Sequence, residues 1–96
     1  MMATSYEKNE GHGPVHRLKS DAQLDVSEVL MPFSLAMCKA SLSHLDSGAV
    51  LQIRLSDYDT LQDLLIIVKR CGDEILAWEK HQDNYFLWVR KSPESR

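Results

Sequence analysis

The sequence predicts an α+β fold: a two-layer α/β sandwich in the order strand-helix-strand-helix-strand-strand, with two helices packed on one face of a four-stranded mixed sheet. Three observations lead there. Two stretches carry apolar residues at three- and four-residue steps, one stretch between them alternates, and two runs rich in aromatic and branched residues close the chain on either side of a turn. A chain of 96 residues has room for one core of this kind and not two.

Residues 1–20 mix Gly, Pro, Ser, Asn and charge without apolar periodicity, the composition of a flexible N-terminal tail. The domain is expected over residues 21–92, with residues 93–96 as a short C-terminal tail. "QLDV" gives the first strand. Pro32 then suits the start of a helix, where its missing N–H would have had no partner. Leu35, Cys38, Leu42 and Leu45 form that helix's buried stripe, and Gly48 marks its stop. "VLQIRL" alternates, with Leu51, Ile53 and Leu55 on one face and Gln52 and Arg54 on the other. "SDYD" supplies cap oxygens and first-turn acids for a second helix along Leu61, Leu64, Leu65 and Val68, closed by Lys69, Arg70 and Gly72. "EILAWEK" and "YFLWVRK" pair as a hairpin across "HQDN".

Composition excludes several function classes. A formal charge of -3 and the absence of a basic cluster argue against a surface that follows a nucleic-acid backbone. The longest apolar runs, such as Leu64 to Val68, fall far short of a bilayer span, and no signal-peptide core is present, so a cytoplasmic protein with reduced thiols at Cys38 and Cys71 is expected. No metal site is expected. His12 and His16 are interrupted by Gly13 and Pro14, and Asp57, Asp59 and Asp63 are accounted for by helix capping and dipole compensation. No cofactor is expected either. His44 and His81 have no context that would hold them beside a cysteine, and both read as surface residues.

The run from Leu24 to Leu64, together with the closing "YFLWVRK", resembles the TusA/SirA family of small sulfur-carrier proteins over about residues 24 to 91. The family pattern passes from a Leu-Asp pair through a Cys-Pro-x-Pro motif, a helix, a Gly, a strand, an Asp-rich turn and a second helix to a terminal Arg-Lys. Leu24, Asp25, Pro32, Gly48, Asp57, Asp63, Arg90 and Lys91 fall on those positions. The motif's cysteine falls on Met31 and its second proline on Ser34. The resemblance implies that the cysteine carries a persulfide received from a cysteine desulfurase and passed to an acceptor, as in tRNA thiolation. A thioether has no ionisable proton and cannot do this. Met31, Pro32 and Ser34 are therefore expected to be a degenerate motif with no catalytic residue. Cys38, on the helical stripe, and Cys71, near a helix end, read as structural thiols.

Alternation in the hairpin puts Ile75, Ala77, Tyr85, Leu87 and Val89 on the helix-covered face. Trp78, Phe86, Trp88 and Arg90 then share the open face with Arg54, and these five are the candidate partner-binding residues. A slip of one residue would exchange the two faces. The leading expectation is a binding, accessory or regulatory module that keeps the fold without the carrier cysteine, with a protein partner or self-association and a link to sulfur-relay proteins. The alternative is a sulfur carrier using Cys38 or Cys71. RNA binding by the aromatic face is a weaker third, and no membrane partner is expected.

Overall fold

The computed structural model describes residues 18–93. The expected flexible segment lies outside the described residues over residues 1–17, with His12 and His16, and so do residues 94–96. The elements are β1 (Ala22–Asp25), α1 (Phe33–Ser43), β2 (Val50–Leu55), α2 (Tyr58–Cys71), β3 (Glu74–His81) and β4 (Asn84–Arg90). They form the expected α+β sandwich, with one four-stranded sheet in the order β1-β2-β4-β3. β1 runs parallel to β2, while β4 is antiparallel to both of its neighbours. The last strand of the sequence therefore sits inside the sheet, between β2 and β3.

The core joins one stripe from each helix to one face of the sheet. Cys38 and Leu42 of α1 and Leu61, Leu64 and Val68 of α2 bury against Leu51, Ile53, Leu55, Leu87 and Val89, with Val26 beside them. All of these residues lie between positions 26 and 89. The helix boundaries follow from local chemistry. Asp57 caps α2 by accepting from the Thr60 N–H at 2.9 Å and the Thr60 hydroxyl at 2.7 Å. At the other end Gly72 takes a left-handed φ of +83°, which lets the Asp73 N–H return to the Val68 carbonyl at 3.2 Å. The Lys91 ammonium donates to the Leu42 carbonyl at 2.8 Å, closing the end of α1.

One part of the expected register is corrected. Ile75 pairs with Val89, but the next pair is Ala77 with Trp88, because β3 carries a bulge between Ile75 and Ala77. The extra residue reverses the phase of β3. Ala77 moves to the face of Trp88, and Trp78, opposite Leu87, moves to the helix side. There its ring meets Tyr58 at 6.3 Å and Tyr85 at 6.1 Å. The phase of β4 is as expected, with Trp88 opposite Gln52 and Phe86 opposite Arg54.

The hydrogen bonds from Thr60 hold the Asp57 carboxyl below the usual carboxylate range. A depressed carboxyl contributes stability that is present in full above its ordinary range and is lost as the pH falls through the folded value. Asp57→Ala should cost about 1 kcal/mol near neutrality. The gap from the parent protein should shrink in acid, as read by denaturant unfolding across pH.

Candidate functional site

Two places carry the residues that could do chemistry or recognise a partner, and they lie at opposite ends of α1. The first is the start of the helix. Pro32 occupies the N-cap position, joined to Met31 by a cis peptide bond, and no side chain caps the helix or places an acid in its first turn. The Ser34 N–H donates to the Leu30 carbonyl at 3.1 Å. A proline at position 34 could not make that bond. The Ser34 side chain is buried, and its hydroxyl has no hydrogen-bond partner among the described residues.

Around this start the surface is apolar. Leu30 is 80% exposed and Phe33 69% exposed, and Met31 and Met37 are exposed as well. Sequence reasoning assigned no role to this set. Its signal was a second helical stripe: Phe33 and Met37 are four residues apart and off the Leu35, Cys38 and Leu42 stripe. Met31 stands in the open, at a helix start where the dipole and the N–H groups favour an anion, but it carries a side chain that cannot become one.

The second place is a cleft of about 610 Å³ between the C-terminal ends of the two helices. Lys39, Ser43, Ile67, Cys71, Asp73 and Lys91 line it. Cys71 is the exposed thiol of the described chain and Cys38 the buried one. Burial pushes the Cys38 thiol up to about 12, so it stays protonated and out of reach. Lys39 and Lys91 line the same cleft, and the Lys91 ammonium is held on the Leu42 carbonyl at the end of α1. From the start of α1 to this cleft is the length of the helix, about 16 Å for its 11 residues.

Of the five residues expected to bind a partner, Phe86, Trp88, Arg54 and Arg90 share the face opposite the helices, and Trp78 does not. Trp78 is on the helix side. Phe86 and Trp88 share the opposite face, with their rings 6.4 Å apart, but both are buried. Arg54 is exposed, lies 5.9 Å above the Phe86 ring and pairs with Asp25 at 3.8 Å. Arg90 makes a two-point contact with Glu74 at 3.0 and 3.1 Å. Burial works to raise the Asp25 carboxyl, but bonds from the Ser27 hydroxyl and N–H and the charge of Arg54 outweigh it and leave the group lowered. Among the described residues no group of three or more His, Cys, Asp or Glu could hold a metal, and no helix is long and apolar enough to cross a membrane.

No protein-family model matches the sequence. A sulfur carrier protein TusA of Pseudomonas savastanoi pv. phaseolicola is 25% identical over 81 residues, covering 84% of this chain and 96% of that protein. The putative sulfur carrier protein YrkI of Bacillus subtilis is 27% identical over 74 residues, covering 77% of this chain and 99% of that protein. Among solved structures, a SirA-like protein of Desulfitobacterium hafniense superposes with a TM-score of 0.66 at 16% identity, over 74% of this chain and 97% of that one, a likeness of fold.

The open helix start makes a direct prediction. Met31→Cys should produce a thiol more acidic than a free one, because the dipole and uncapped N–H groups act on that position. Alkylation rate against pH reads this, and an ordinary thiol profile would show that the helix start exerts no such effect.

Proposed function

We propose that this chain, TusA/SirA-like in sequence and SirA-like in fold at low identity, is a sulfur-relay protein whose sulfur-bearing thiol is Cys71. The relatives are named sulfur carriers over most of their length, and the observation that selects the residue is exposure. Position 31 holds a thioether, Cys38 is sealed in the core, and Cys71 opens on a cleft lined with two lysines. In the transfer step the Cys71 thiolate attacks the terminal sulfur of a donor persulfide. The donor's sulfur–sulfur bond breaks, the donor leaves as a thiolate, and the new persulfide on Cys71 sits in the cleft that Lys39 and Lys91 line. No net oxidant is required.

A second reading is favoured by the apolar surface at the start of α1. The chain then docks on relay partners through Leu30, Met31, Phe33 and Met37 and transfers nothing, which is the module expected from the missing motif cysteine. Geometry separates the two readings. The apolar surface lies about a helix length from Cys71, so substitutions at Phe33 probe docking and substitutions at Cys71 probe carriage.

Incubation with a cysteine desulfurase and labelled cysteine should place one transferable sulfur on the parent protein and on Cys38→Ser, and none on Cys71→Ser. An unlabelled parent protein would overturn carriage and leave the docking reading. For that reading, Phe33→Ser should leave unfolding nearly unchanged, since the ring is in solvent. It should also weaken desulfurase binding by about tenfold or more, the effect of losing one aromatic anchor of about 2 kcal/mol.

A further inference from the structure

We propose that the cleft at Cys71 binds a small peptide thiol carrying two carboxylates and one ammonium, and that this molecule, as its persulfide, brings the sulfur. The donor role rests on Cys71 being the sulfur-bearing thiol; the ligand class comes from the rest of the lining. α1 contributes Lys39 and Ser43, a turn apart and both exposed, and α2 contributes Ile67 and Cys71 at the same spacing. Asp73 follows α2 and Lys91 follows β4.

These groups can recognise charge at three points. Lys39 and Lys91 supply two cations. The Lys91 ammonium has three N–H donors, and its bond to the Leu42 carbonyl at 2.8 Å holds it at the end of α1. Asp73 is the acid of the lining and is only 9% exposed. The Ser92 N–H donates to one of its oxygens at 2.9 Å and fixes the carboxylate, which can accept further bonds. A buried carboxylate beside a cavity carries a desolvation cost that a cationic group in the cavity offsets. Two cations, one anion and a thiol are the complement of a ligand with two anions, one cation and a sulfur.

Size and form agree with a small ligand. The cleft's volume of about 610 Å³ lies inside the ~300–1,000 Å³ usual for small-molecule sites, which are concave and hold a few convergent polar groups. A single amino acid would leave most of it empty, whereas a short peptide suits it. Leu42 and Ile67 give the methylene groups of such a peptide an apolar wall. In the transfer the Cys71 thiolate attacks the terminal sulfur of the bound persulfide. The sulfur–sulfur bond breaks, the peptide leaves as its thiolate, and the sulfur stays on Cys71 as a persulfide. No oxidant is consumed, and the ligand's charged groups take no part, so binding can be measured apart from chemistry.

Glutathione has this set of charges, and S-methylglutathione keeps them without a free thiol. S-methylglutathione should bind the full chain and Cys71→Ser about equally, with amide NMR shifts centred on Lys39, Ser43, Asp73 and Lys91. Its diethyl ester, which lacks the carboxylate charges, should not bind. Lys39→Gln alters an exposed side chain, and in Asp73→Asn the new amide oxygen can still accept from the Ser92 N–H. Each should weaken binding about tenfold or more, as expected for one charged hydrogen bond lost. Glutathione persulfide with a labelled outer sulfur should label Cys71 in the parent protein. No shifts with S-methylglutathione, shifts centred elsewhere, or undiminished binding by both charge variants would overturn the site. If Cys71 takes sulfur from a desulfurase while glutathione fails to bind, this inference falls and carriage stands. If S-methylglutathione binds while neither donor labels Cys71, the site stands, and carriage falls together with the persulfide role.

Discussion

The pairing of β2 with β4 is the constraint on which the rest of the molecule depends. Six register pairs, from Val50 with Arg90 to Leu55 with Tyr85, align Leu51, Ile53 and Leu55 with Val89, Leu87 and Tyr85 on one face. That face is the floor against which both helices bury their stripes. With the floor set, α1 must start at one end of the sandwich and finish at the other, which fixes the separation of Met31 from the Cys71 cleft. Lys91, just past β4, then reaches back to the end of α1 and ties the last strand to the first helix.

The two ends of α1 are chemically unlike for ordinary electrostatic reasons. Its start has no side-chain cap and presents the positive end of the dipole, which favours a thiolate, but the residue there is a thioether in an apolar surround. Its finish lies beside the end of α2, where Lys39, Lys91 and Asp73 line the cleft that holds Cys71. The fold shared with the SirA-like structure thus holds its uncapped helix start and its exposed thiol at different places.

The bulge in β3 has the largest effect of any single backbone feature on the surface. Without it Trp78 would stand beside Trp88 and Phe86, and one sheet face would carry three large rings. With it Trp78 joins Tyr58 and Tyr85 at the mouth of the helix side, and the opposite face keeps two rings with Arg54 at their border. The aromatic residues of the hairpin are thereby divided between the two faces, Trp78 with Tyr85 on one and Phe86 with Trp88 on the other.

Local patterning in the sequence determined every element of the fold, because helix stripes, strand alternation and caps such as Asp57 and Gly72 act over a few residues. It determined also that position 31 could not hold a persulfide, since that follows from the chemistry of the side chain alone. The phase of Trp78 was not legible: a bulge is a mismatch between two strands, visible only once β3 is paired with β4. The burial of Phe86 and Trp88 was hidden for a related reason, as alternation tells which residues share a face but not whether anything lies over that face. The exposed set around Met31 and the lysine-lined cleft at Cys71 were likewise decided by tertiary structure, because each gathers residues whose nearness or exposure depends on how α1 packs against α2 and the sheet.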